Sequence, residues 1–324
     1  AFLHYRDAAF QIHRSKRVDG QTPGWDLLLS LAASADDPIS AGRHKVLGSK
    51  ALNIPPQTST IASQVPKAVG AALSIGLANE IGFGETQLED DGIVICSFGD
   101  ASANHSTTQG AINAASWHAY QDVPLPIIFI CEDNGIGISV STPDGWIEAA
   151  FSQRPALRYM SVNGLDILET YKVAADAESY IREERKPVFL HMHCARLQGH
   201  AGTDVQTSYR TREEIAAIED RDPLLHTAAT LISNGILSND DVLDLYNGIE
   251  DTLGRMAEEA TARPKLETSE HVMASIIPPR RDSWPPVDVG KDERGVVFGS
   301  DTVIMDKPQH MSRLLNWGLT DLMI

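Results

Sequence analysis

Asp100 follows an apolar run and opens a helix-forming stretch, in Gly99-Asp100-Ala101-Ser102, and Asn134 follows a second apolar run, in Asp133-Asn134-Gly135-Ile136. A carboxylate, an amide oxygen and a nearby backbone carbonyl are hard oxygen donors of the kind that hold Mg²⁺ or Ca²⁺ completed by diphosphate oxygens. A strand-to-helix turn of small residues adds free backbone N–H groups, which favour an anion at the same spot. The same residues also allow a plainer reading, with Asp100 as a helix cap and 133–137 as an ordinary turn. On these residues alone both readings stand. His191-Met192-His193 places two imidazoles on one face of a strand, with no third ligand evident. Gly82-Phe83-Gly84 lacks the remainder of a dinucleotide fingerprint.

The elements that must carry these groups are legible as patterns. "GIVICSF" (92–98) and "PIIFIC" (126–131) are continuous apolar runs, as in parallel strands covered on both faces, and "STTQGAINAASWHAY" (106–120) between them reads as a helix. Together they predict a right-handed βαβ unit, whose ligands bind at the carboxyl ends of the strands. "YMSVNG" (159–164), a helix near 170–185 and "PVFLHMHCA" (187–195) extend the pattern. Residues 1–50 read as helical with polar turns, and "PKAVGAALSIGLANEIG" (66–82) as a tightly packed helix opened by proline. From about 211 the chain turns to acidic amphipathic helices, clearest over 239–261. The expected fold is α/β, a doubly wound parallel sheet with helices on both faces and a C-terminal helical extension. Residues 266–295 read as a linker, with proline and charge concentrated in 276–295.

Bulk properties narrow the partners. A net charge of −17 over 324 residues argues against nucleic acid. The apolar runs fall short of the ~18 residues of a membrane helix, and no export signal is recognisable. Cys96, Cys131 and Cys194 lie in strand-like runs without a CxxC pair, which predicts reduced core residues in a cytoplasmic protein. The chain opens at Ala1 in mid-structure, as a processed or truncated piece would.

Gly99-Asp100 followed by Asn134 resembles the thiamine diphosphate motif, Gly-Asp-Gly to Asn-Asn. The wider context, "FGDASANHSTTQGAINAAS" then "PIIFICEDNGIGIS", resembles the α subunit of 2-oxo acid dehydrogenase decarboxylating components, nearest to the branched-chain type, over residues 2 to about 265. The resemblance implies a thiamine diphosphate-binding fold, with Mg²⁺ held by Asp100, Asn134 and the backbone carbonyl of Ile136. It implies that Tyr5 and Arg6 of "HYRD" meet the diphosphate, with Ala101 and Ser102 beside it. Ser59 would fall by the aminopyrimidine, and Ile61 would prop the cofactor into its bent shape. "RLQGHAGTDVQTSYR" (196–210) resembles the family's flexible active-site loop, with His200 as the catalytic histidine between diphosphate and substrate and Arg196, Tyr209 and Arg210 organising the loop. His44 and Lys45 lie where family members have a basic segment that could reach substrate.

Departures at four places accompany the resemblance. Ala101 stands where glycine is usual, and the Asp100–Asn134 separation is several residues longer than typical. Asp133 replaces the first Asn, and Glu132 stands where a diphosphate-binding Arg is common in the branched-chain type, so Glu132 must point away or bridge through another cation. Ala201 replaces a serine phosphorylated in animal relatives. The implied reaction is oxidative decarboxylation of a 2-oxo acid, branched-chain or pyruvate, with acyl transfer to a lipoyl group on an acyltransferase core. The alternatives are a non-catalytic scaffold keeping the fold, or another thiamine diphosphate enzyme of acetoin or transketolase type. Residues 296–324 resemble the start of the family's β subunit, which predicts a fused α–β chain in a homo-oligomer. In the family the β half brings the glutamate that activates the cofactor, so residues 1–324 alone are expected not to decarboxylate.

Overall fold

The computed structural model describes residues 1–42, 47–57, 60–75, 77 and 89–274. The chain divides into two compact units, Ala1–Leu266 and Glu267–Ile324. In the second, a short helix, Ser269–Met273, lies within the stretch read as a linker, and residues 275–324 lie outside the described residues.

The first unit is built on four parallel strands, β3 (Val94–Gly99), β4 (Ile127–Asp133), β7 (Arg158–Asn163) and β8 (Val188–His193), in the order β3-β4-β8-β7. Phe2 adds a one-residue parallel bridge to Cys96 at the β3 edge. The apolar runs become strands because both faces are covered. On one face Ile128, Val162, Val188 and Leu190 pack with Ala177 and Ile181 of α7 (Ile167–Glu184). On the other, Phe98, Phe129 and Phe189 form an aromatic layer, and Phe151 of α6 (Trp146–Phe151) stacks on Phe189 at 4.3 Å between ring centroids. This is an α/β parallel sheet with helices on both faces.

β3 runs straight into α4 (Asp100–Ala103), and α5 (Ser106–Tyr120) then returns the chain to β4. α3 (Gln64–Ser74) packs against α5 and β3, and its buried Gln64 donates to the Ser97 carbonyl at 2.9 Å. The first fifty residues are less helical than expected. After α1 (Ala8–Ser15) and α2 (Pro23–Leu31), β1 (Leu47–Ser49) pairs antiparallel with β2 (Ile54–Gln57), whose Pro55 and Pro56 suit an edge where ladder donors are dispensable. After β8 come α8 (Arg212–Glu219), α9 (Pro223–Ser233) and the long α10 (Asn239–Ala262). α8 and α10 each open with a capping box, Thr211 with Glu214 and Ser238 with Asp241. Cys96, Cys131 and Cys194 are free thiols, the first two buried.

Candidate active site

β3 delivers Asp100 to the carboxyl end of the sheet, and the next side chain to meet it comes from a hairpin the sequence did not announce. β5 (Ile136–Gly137) and β6 (Val140–Ser141) fold back on each other just after β4. Thr142, which follows β6, donates its hydroxyl to Asp100 Oδ2 at 2.5 Å. Asp100 is only 3% exposed, and burial pushes its carboxyl up, with the Thr142 hydrogen bond pulling the other way. The turn into the hairpin is held by its own side chains. Asp133 Oδ1 accepts from the Gly135 N–H at 3.0 Å, and Asn134 Oδ1 from the Ile136 N–H at 3.2 Å. Gly135 has φ +74°, which glycine adopts freely. Ala101 sits in helical backbone, and its methyl faces Gly137, where a Cβ would lie 2.7 Å away. The extra carbon at 101 fits because residue 137 has none. A cavity of about 350 Å³ opens here, lined by Asp100, Ala101, Gly137, Thr142 and Trp146.

The same hairpin holds the 196–210 loop. Arg196, 8% exposed, donates to the Ile138 carbonyl at 2.7 Å and to the Tyr209 hydroxyl at 2.9 Å. Asp204 accepts from the Tyr209 hydroxyl at 2.7 Å and from the His200 N–H at 2.5 Å. Arg6 closes the arrangement from the N-terminal segment. Its Nη2 donates to the His200 carbonyl at 2.9 Å and lies 3.1 Å from His200 Nδ1. Tyr5 lies edge-on to the His200 ring at 6.2 Å, and the Arg6 guanidinium sits 5.0 Å over the Tyr5 ring. Partial burial, then the nearby Arg6 and Arg196, hold the His200 imidazole below its usual pKa, so it is neutral at pH 7. Arg210 reaches back to Gln206 at 3.2 Å.

The dehydrogenase E1 component family matches this chain over residues 2–269. The chain belongs to that family. It is 32% identical over 74% of its length to the 2-oxoisovalerate dehydrogenase subunit alpha of Bacillus subtilis, covering 69% of that protein. It is 29% identical to the mitochondrial pyruvate dehydrogenase E1 component subunit alpha of Sminthopsis macroura, over 68% of this chain and 57% of that one. To the human somatic form it is 28% identical, over 67% and 53%. The chain thus spans little more than half the length of these mitochondrial relatives. It is an α-type E1 component, in a family that depends on thiamine diphosphate.

Within this E1 chain the structure joins Tyr5, Arg6, Arg196 and His200 in one contact network, and Asp100, Ala101 and the 134–137 turn in another, with the hairpin common to both. Ser102 is half-buried in α4. Ile61 is 48% exposed, and Ser59, His44 and Lys45 lie outside the described residues. Glu132 points away from Asp100, toward Asp7 and His4, with His4 Nδ1 3.4 Å from Glu132 Oε2. The pair of imidazoles at 191 and 193 does have a carboxylate beside it, since Asp133 Oδ2 lies 2.8 Å from His191 Nε2. Thr142 and the Ile138 carbonyl were missed, because a lone threonine and a backbone oxygen leave no signature in a sequence.

The donors proposed for magnesium fit a hard cation. Asp100, Asn134 and the Ile136 carbonyl offer oxygen only, and among the described residues no cationic side chain pairs with the buried Asp100 carboxylate.

Proposed function

We propose that this chain supplies the diphosphate-binding half of a thiamine diphosphate site that oxidatively decarboxylates a 2-oxo acid, branched-chain or pyruvate, and passes the acyl group to a lipoyl arm. The observation that carries the reading is the shared hairpin. Its turn bears Asn134 and Ile136, its far end is followed by Thr142 on Asp100, and its Ile138 carbonyl anchors the Arg196 that orders the His200 loop. The group that holds a metal–diphosphate and the group that handles protons are thereby tied to one element.

In this reading Asp100, Asn134 and the Ile136 carbonyl hold Mg²⁺, and Arg6 and Tyr5 bind the diphosphate with the backbone at Ala101 and Ser102. Ser59 and Ile61 are assigned to the ring end of the cofactor. Thiamine diphosphate, when bound, supplies the carbon nucleophile and the electron sink for loss of CO₂. His200 accepts from Arg6 at Nδ1, so its proton sits on Nε2, where that N–H can hydrogen-bond an oxygen gaining charge at the entrance, and the ring takes up a proton at Nδ1 once Arg6 turns away. Arg196, through Tyr209 and Asp204, fixes the loop that carries it. The partners are a β-type half, in the same chain or a separate subunit, and a lipoyl-bearing acyltransferase, in a cytoplasmic homo-oligomer.

The test is His200→Ala in the complete enzyme, with its β half present. Thiamine diphosphate affinity should stay within about twofold, while turnover with lipoyl domain falls by about 10²-fold or more, the usual worth of a general acid–base group. Unchanged turnover would return His200 to an ordinary loop residue.

A further inference from the structure

His191 and His193 stand two residues apart on β8, so their side chains share the aromatic face of the sheet. The neighbouring strand β4 runs parallel in register, with Asp133 opposite His193 and Cys131 opposite His191. Period-two alternation puts Asp133 on that same face. One ligand atom from each of Asp133, His191 and His193 lies within 4.8 Å of the others. The Asp133 Oδ2–His191 Nε2 distance is 2.8 Å, and the two imidazole centroids are 4.1 Å apart. We propose that Asp133, His191 and His193 form a binding site for a divalent transition-metal ion of the zinc class, separate from the oxygen-donor set at Asp100.

Three features support the site. The first is outer support: Tyr159 OH lies 2.7 Å from His191 Nδ1 and Ser161 Oγ 3.1 Å from His193 Nε2, both from the adjacent strand β7. Hydrogen bonds of this kind fix ring orientation and tautomer in metal sites. The second is graded access, with His191 buried, Asp133 half-buried and His193 exposed, which gives a fixed floor and an open mouth for entry and for water ligands. The third is donor chemistry, because two imidazoles and one carboxylate favour zinc-class ions over magnesium. The protons balance without an outside acceptor. As Nε2 takes the metal, the His191 proton moves to Nδ1 and donates to the Tyr159 oxygen, whose own proton turns to solvent or a neighbour.

The experiment uses tag-free, chelator-stripped full chain in millimolar Mg²⁺, titrated with Zn²⁺ by calorimetry and with Co²⁺ by visible absorption. One ion per chain should bind with a Kd of about 1 µM or tighter, and Co²⁺ should give ligand-field bands. His193→Ala, at an exposed position that leaves the fold in place, should weaken binding at least about tenfold, and Tyr159→Phe about tenfold through the lost outer hydrogen bond. His4→Gln, in the other close group of His4, Asp7 and Glu132, is the control and should change nothing. Absence of micromolar binding by the wild type, or His193→Ala binding as tightly as wild type, would overturn the proposal. So would loss of binding in the control. None of these readouts involves thiamine diphosphate, so failure here leaves the proposed function standing.

Discussion

Glu132 and Asp133 are consecutive carboxylates on β4, each beside a histidine, and the sheet gives them opposite fates. Alternation sends Glu132 to the face covered by the N-terminal segment, against Asp7 and His4. There Asp7 already accepts from the His4 N–H at 3.1 Å and from the Ser97 hydroxyl. Burial, then the facing Glu132 charge, pushes the Asp7 carboxyl well above its usual value, and burial raises Glu132 as well. Ionisation of both carboxyls together is therefore disfavoured. Burial also pushes His4 down to about 4, leaving it neutral. Asp133, on the other face, accepts from His191 at 2.8 Å and from the Gly135 N–H at 3.0 Å, and the His191 hydrogen bond holds its carboxyl below the usual range. The comparison teaches that ionisation here follows burial and a facing carboxylate on one side of the strand and a histidine partner on the other, and not the residue type.

The largest break in the comparison should come from Asp133→Ala. It strips buried His191 of a charge-assisted partner and the 133–137 turn of a hydrogen bond, a loss of about 1.5–3 kcal/mol. Urea unfolding at pH 7 measures it, and a loss below about 0.5 kcal/mol would reduce the pair to a surface contact.

Glu132→Gln should move stability the other way. Asp7 and Glu132 are raised in the folded state, so the stability they lend is full below the ordinary carboxylate range and is lost as pH climbs through the raised values. Removing one ionisable group should therefore raise Tm at pH 8 by about 2–4 °C, for about 1 kcal/mol, with the gain shrinking toward pH 5. A mutant less stable at pH 8 would mean that Glu132 is ionised and well paired.

The smallest effect belongs to His4. Its folded value lies below 6.5, so its contribution is present above that pH and is lost as pH falls toward about 4. His4→Gln should flatten the fall of Tm between pH 6.5 and 4, by a few degrees at the acid end. Parallel wild-type and mutant curves would place a protonatable, solvated imidazole at residue 4.

Much of the scaffold was legible because its signals are local. Continuous apolar runs at 92–98 and 126–131 became β3 and β4, and the helix over 106–120 appears as Ser106–Tyr120. The strand-end positions of Asp100 and Asn134 follow from those runs. What stayed hidden depends on pairing between distant segments. β8 inserts between β4 and β7, and only that order sets Asp133 beside His191 and His191 beside Tyr159. The β5–β6 hairpin has two-residue strands, too short for any alternation to show, yet it places Thr142 on Asp100. Ala101 reads as a departure in sequence and becomes tolerable only once Gly137 is seen against it.

The central claim is that Asp100 is the anchor of a metal–diphosphate site. It is tested most directly by titrating thiamine diphosphate into the complete enzyme with and without Mg²⁺, for wild type and for the near-isosteric Asp100→Asn, following tryptophan fluorescence. The account predicts Mg²⁺-dependent binding by the wild type, and at least about tenfold weaker binding with little Mg²⁺ response in the variant, at unchanged circular dichroism. Equal affinity and equal Mg²⁺ dependence in the two proteins would contradict it.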